Sequence, residues 1–180
     1  MRMKSVSRLL IGLGTAAAAA LVASATATAE PSGFPDLSTF NETPADNYIK
    51  VLPRGGKTIS FSTVEGLNCR FGAREQGPDE DRGLSCDGPM PGLEGIPVYG
   101  SEQGQCDYGN ISRAGGAYGI THTKQKCLGA HPAGNILAPG QKISYGNVTC
   151  AAGADKLLAC VNRADGEHGF VLSTAGSWSF

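Results

Sequence analysis

The 180-residue chain predicts an all-β fold: a small disulfide-bridged β-sandwich or partly open barrel built from hairpins, with one short helix. Three observations carry this prediction. First, 26 glycines and 10 prolines cut the chain into short runs that suit strands and turns. Second, no long window shows the 3.6-residue apolar period of an amphipathic helix. Third, all six cysteines, Cys69, Cys86, Cys106, Cys127, Cys150 and Cys160, lie downstream of an export signal. That places them in an oxidising compartment, where disulfides substitute for a large core.

Residues 1–29 read as a cleavable secretory signal peptide. Arg2, Lys4 and Arg8 form its positive start, an apolar run follows to Val22, and Ala27-Thr28-Ala29 gives a small-x-small cleavage site before Glu30. The run is too short and alanine-rich to span a bilayer, and no transmembrane segment is expected after cleavage. There is no Arg-Arg pair and no Cys at the cleavage point, which argues against a twin-arginine route and a lipid anchor. Cleavage turns 180 residues into 180 less 29, or 151, which is one domain's worth of chain.

Residues 30–56 read as an extended arm with a short helix. Residues 30–42 carry Pro and Ser, Thr43 is placed to cap a helix with Pro44 at its first position, and Pro53 closes the stretch. Residues 57–180 read as the disulfide-bridged β-rich domain, one globular unit with the arm. Ile59, Phe61 and Thr63 alternate with Ser60 and Ser62, the period of a half-buried strand. Residues 73–83 are charged and turn-rich. Residues 87–92 hold Pro89 and Pro91 and read as loop. Residues 96–99 are a short edge strand, because Pro97 cannot donate to a ladder. Residues 104–140 carry many glycines and little periodicity, with a strand expected at 117–123. Strands follow at 143–150 and 157–162. Phe170-Val171-Leu172 and Trp178-Ser179-Phe180 flank a turn at Thr174-Ala175-Gly176. The terminal Phe180 resembles the end of an outer-membrane barrel, but the other segments lack the tall alternating pattern of a barrel wall.

Six cysteines allow 15 pairings. An internal echo favours one of them. Gly56-Lys57-Thr58-Ile59-Ser60-Phe61 leads through Val64 to Cys69, and Gly140-Gln141-Lys142-Ile143-Ser144-Tyr145 leads through Val148 to Cys150. Each is followed by Leu-x-Cys, at Leu84-Ser85-Cys86 and Leu158-Ala159-Cys160. Both read as strand, turn, strand with a cysteine on each arm. Cys69–Cys86 and Cys150–Cys160 are therefore expected, leaving Cys106–Cys127. No Cys-x-x-Cys pair exists, which weakens zinc and thioredoxin-like readings. His122, Cys127 and His131 are spaced loosely like metal ligands, but an oxidised Cys127 cannot ligate, so no metal is expected.

Without Arg2, Lys4 and Arg8, the 15 basic residues fall to 12 against 16 acidic ones, a net charge of about −4. Phosphate backbones need clustered Lys and Arg, so nucleic acid is not an expected partner. No cofactor motif is present. A serine hydrolase would announce itself by Gly-x-Ser-x-Gly, which is missing. The bases for such chemistry are His122, His131 and His168. His168, beside Gly169, is the strongest catalytic candidate and His122 the next. The competing reading of His168 is a strand residue whose nitrogens meet backbone or water. Asp79-Glu80-Asp81 has calcium-loop-like spacing, but Arg82 intrudes and the ligands stop, so a solvated acidic turn is favoured. Trp178, the sole tryptophan, could stack on a sugar or peptide with Tyr108 and Tyr118, although burial in the core is favoured for it. Tyr99 and Tyr145 could join such a patch. The alanine-rich signal suits a high-GC bacterium, and in such a chain the glycosylation-like triplets at Asn41, Asn110 and Asn147 would be chance matches.

His168-Gly169-Phe170-Val171-Leu172-Ser173, with Gly176-Ser177-Trp178 after it, resembles the end of a family of small exported proteins of mycobacteria and related actinobacteria, mostly of unknown function. The resemblance extends to Phe34-Pro35-Asp36-Leu37, to Ser60-Phe61-Ser62-Thr63 with Gly66 and Cys69, and to Val148-x-Cys150. It covers about half of the chain after the signal and supplies no catalytic residues. It implies export to the cell envelope or medium. The function expected is a non-enzymatic envelope or extracellular domain that binds a protein or glycan. The alternatives are an extracellular hydrolase using His168 or His122 with a Ser or carboxylate, and a structural cell-wall-associated protein.

Overall fold

The computed structural model describes residues 33–53, 55–72, 83–100, 104–114, 116–127, 129 and 131–180. The signal segment and the run Asp79-Glu80-Asp81-Arg82 lie outside the described residues.

In chain order, a 3-10 turn at Leu37–Thr39 leads to β1 (Asn41–Thr43). A second at Ala45–Tyr48 leads to β2 (Ile49–Val51). Then come β3 (Lys57–Ser62), β4 (Asn68–Phe71), β5 (Leu84–Pro89), β6 (Cys106–Ala114), β7 (Ala117–Gln125), β8 (Asn135–Ile136), β9 (Gln141–Tyr145), β10 (Val148–Ala152), β11 (Leu158–Asn162), β12 (His168–Leu172) and β13 (Trp178–Ser179). One sheet has the order β1-β9-β10-β11-β12-β13. The other runs β2-β3-β4-β5-β6-β7, with β8 parallel on β3. The fold is an all-β sandwich of two sheets, and its described residues fall within one compact unit, Pro31–Phe180.

Period-2 alternation builds the core. Ile59, Phe61, Cys69, Phe71, Leu84, Cys86 and Ile111 from one sheet meet Ile143, Val148, Cys150, Leu158, Cys160, Phe170 and Leu172 from the other. The cysteines are central to this layer. Cys69 faces Cys86 across β4 and β5, and Cys150 faces Cys160 across β10 and β11. Both pairs are bridged with Cα atoms 4.1 Å apart, the close spacing of a non-hydrogen-bonded antiparallel pair. Cys106–Cys127 joins the open end of the β6–β7 hairpin, with Cys127 exposed. The expected pairing is thus the pairing in the structure.

The echo extends to register. One sheet carries the row Phe61, Cys69, Cys86, Ile111. The other carries Ile143, Cys150, Cys160, Phe170. Each bridge is therefore flanked in register by apolar residues on the neighbouring strands. The outer face of the sheet that contains β10–β12 has its own apolar layer. Leu37, Ala151, Ala159, Val161 and Val171 are covered by Phe34, Phe40, Trp178 and Phe180.

Four expectations are corrected. The helix is a single 3-10 turn with no side-chain cap, and Thr43 belongs to β1, its φ/ψ taken by pairing with Ile143. Residues 87–89, read as loop, are the end of β5, where Pro89 pairs with Tyr108. Residues 96–99 make one bridge, Val98 to His122, in place of a strand. Finally β6 occupies nine residues of the stretch that showed no periodicity.

Candidate functional site

The open lateral edge of the sandwich at β2 is the candidate site. Among the described residues β2 pairs on one side only, through Ile49 with Ile59, Lys50 with Thr58 and Val51 with Lys57. Farther along, the same edge of β3 is taken by β8. The β2–β3 turn sets the register: Gly55 sits at φ 83° and donates to the Leu52 carbonyl at 2.9 Å, while the Leu52 N–H donates to Gly56 O at 2.7 Å. Hydrogen-bonded pairs alternate along an antiparallel ladder, so Lys50 directs its backbone groups to Thr58. Ile49 and Val51 direct theirs away from β3. The Ile49 N–H is used by Asp46 O. The Ile49 C=O and the Val51 N–H and C=O are left on the free edge.

The side chains there are apolar and uncovered. Ile49 is 42% exposed, Val51 64% and Leu52 38%. Beside them lies a cleft of about 260 Å³ lined by Asp46, Ile49, Lys57, Thr58, Ile59, Gly72 and Tyr145. Tyr145 comes from the opposite sheet and stands edge-on to Phe71 at 5.7 Å. The cleft is thus the place where the two sheets part, with a carboxylate and an ammonium among its lining groups.

The edge is held rigidly from behind. Tyr48 is buried, its hydroxyl reaches Ile136 O at 3.4 Å, and burial pushes the phenol above its ordinary titration range. The Asn135 side-chain amide donates to Asn47 O at 2.5 Å, and Lys50 Nζ donates to Ala133 O at 3.1 Å. Ser62 and Asn68 fix the neighbouring chain: Ser62 Oγ accepts from the Gly134 N–H at 3.0 Å and Asn68 Oδ1 from the Ala133 N–H at 2.7 Å. A preformed edge loses little entropy on binding.

The residues singled out in the sequence do not converge on one place. His122 is buried, with Nδ1 2.8 Å from Ile96 O and Nε2 2.8 Å from Asp107 Oδ1. Neither nitrogen is free to activate a hydroxyl. His168 is half-buried at the start of β12 opposite Asn162, and among the described residues its ring has no hydrogen-bond partner. His131 is exposed. The described residues therefore assemble no nucleophile–base pair at a histidine. Cys127 is bonded to Cys106, which removes it from the metal-like spacing with His122 and His131. No group of three or more His, Cys, Asp or Glu among the described residues is placed to hold a metal ion.

Tyr118 is core: its hydroxyl accepts the Leu84 N–H at 3.0 Å and its ring stands edge-on to Phe170 at 5.4 Å. Trp178 is half-buried, 5.3 Å from Phe180, which is edge-on to Phe34 at 5.5 Å. Tyr108 is half-buried at the Pro89 end of the β5–β6 pair. Tyr99 is 76% exposed on its own segment. Of the four tyrosines and one tryptophan considered as contacts, Tyr145 alone lines the cleft. Ile49, Val51 and Lys57 were not foreseen. The signal was present, in an apolar-polar-apolar triplet followed by Leu52-Pro53 and Gly55, a hairpin pattern.

No helix among the described residues is long and apolar enough to cross a membrane. The fold and site define a disulfide-bridged β-sandwich whose β2 edge, among the described residues, is open and apolar. No protein-family model, curated protein or solved structure matches the chain.

Proposed function

We propose that this protein is an exported, non-enzymatic binding domain that captures an extended peptide segment of a partner protein on β2. The carrying observation is the free edge itself. The outward Ile49 C=O and the Val51 N–H and C=O are what an added strand pairs with. The adjoining cleft supports a preference for one side chain of that strand, since about 260 Å³ falls below the usual range for a whole drug-sized ligand. Export is supported by the signal-like first 29 residues, by three disulfides that suit an oxidising compartment, and by the resemblance to small exported actinobacterial proteins. A glycan partner has less support, because Trp178 spends its faces on Phe180 and the outer apolar layer.

Selection of short random peptides displayed on phage, followed by amide chemical-shift mapping, tests this reading. The expected result is a family of peptides with alternating apolar residues that shifts the amides of Ile49 and Val51 and the ring of Tyr145. Peptides that bind while leaving those signals in place overturn it. So does selection that yields only glycan-like mimotopes competed by cell-wall polysaccharide.

A further inference from the structure

His122 offers a second device, independent of β2. Its ring is buried on β7 between two groups that can only accept: the Ile96 carbonyl at 2.8 Å from Nδ1 and the ionised Asp107 carboxylate at 2.8 Å from Nε2. Neutral imidazole has one N–H. Both contacts are hydrogen bonds only in the imidazolium. We propose that His122 is a proton-operated latch that holds residues 96–99 on β7 and releases them when the ring loses a proton.

The groups around the ring decide which proton leaves. Among the described residues, the charged neighbours are Asp107 on β6 and Lys124 on β7, with Lys124 Nζ 2.6 Å from the same Asp107 oxygen. Gly109, opposite His122 in register, presents no side chain. The segment 96–99 presents the Ile96 carbonyl. A carboxylate is a stronger acceptor than a backbone carbonyl, so it keeps the Nε2 proton. Nδ1 is left with a lone pair aimed at Ile96 O, which turns an attraction into a repulsion. Leu93 is anchored in the core and Ile96 packs against it, so the part free to move is the end that follows. Its remaining tie to β7 is the Val98–His122 bridge, which includes the Tyr99 N–H donating to His122 O at 2.7 Å. Tyr99, 76% exposed, rides on the released end. Release would uncover the backbone edge of β7 at His122. Protonation therefore closes this edge and deprotonation opens it.

The test follows the His122 ring nitrogens by long-range proton–nitrogen correlation and the Tyr99 amide by hydrogen-exchange protection. Both are measured over a series of pH values that spans the loss of a ring proton. The expected result is two protonated nitrogens at low pH, then loss of the Nδ1 proton. Tyr99 protection should fall about tenfold over the same transition, the effect of losing one hydrogen bond to a charged donor, while amides of β10 and β11 hold theirs. Loss of the Nε2 proton first, or Tyr99 protection that ignores the ring's titration, overturns the latch. His122→Gln, which keeps a donor but has no titration, should show low, pH-independent Tyr99 protection relative to the protonated wild type. A wild-type pH profile in that variant also overturns it.

Discussion

Asp107 shows how one carboxylate is tuned by its neighbours. The hydrogen bond from Lys124 holds its carboxyl below the usual carboxylate range, against the opposing effect of partial burial, and the His122 bond adds to the lowering. A group whose folded titration point is depressed stabilises the fold above its unfolded value, near 3.9, and loses that contribution as pH falls through the folded value. Asp107→Asn should therefore be less stable than wild type at neutral pH, and the gap should close at the acid end. Chemical denaturation at a series of pH values checks this. The histidines show why site residues were hard to read. His122 and His168 are equally plain in sequence, and what separates them is contact across strands: Asp107 and Ile96 reach the first, and the second faces Asn162.

At the scale of elements, the two kinds of bridge should behave differently. Cys69, Cys86, Cys150 and Cys160 are at most 1% exposed, whereas Cys127 is exposed. Thiol–disulfide exchange needs access for the attacking thiolate. Mild reduction with alkylation and mass mapping should open Cys106–Cys127 first and leave the core pairs intact until the fold opens. Each core bridge is worth about 3 kcal/mol by the loop-entropy argument, before any loss of packing. The strands of this core were legible because Ile59 and Phe61 alternate with serines and Ile143 sits between Lys142 and Ser144, while Phe170-Val171-Leu172 is a short apolar run flanked by turn residues. β6 was not. Its inward side is Asp107, Gly109, Ile111 and Arg113, with one apolar residue, because Met90 packs where a Cβ at Gly109 would stand. Arg113 on that side pairs with Asp165. A strand whose core contact comes from a neighbour's side chain leaves no period to read.

At the scale of the whole molecule, the echo in sequence becomes two sheets with matching rows, each clasped by a bridge between the third and fourth strands of its order. This arrangement spends its rigidity on the centre and leaves the β2 edge free. Most monomeric β proteins blunt such an edge with charge, Pro or a bulge. Here Lys50 folds back onto Ala133 O, so its charge is tied beside the edge, and Ile49 and Val51 stay uncovered. The sequence located the disulfide-bridged scaffold. It did not locate this edge, because Ile49 reads as easily as the end of a short helix as the start of a strand, and the choice depends on pairing with Ile59. The most direct test is the affinity of Val51→Pro for a peptide selected on the wild-type protein. Proline there removes an outward N–H and spares the ladder to β3. The account predicts a folding midpoint close to wild type and an affinity reduced at least about tenfold. Unchanged affinity in a folded Val51→Pro protein would contradict it.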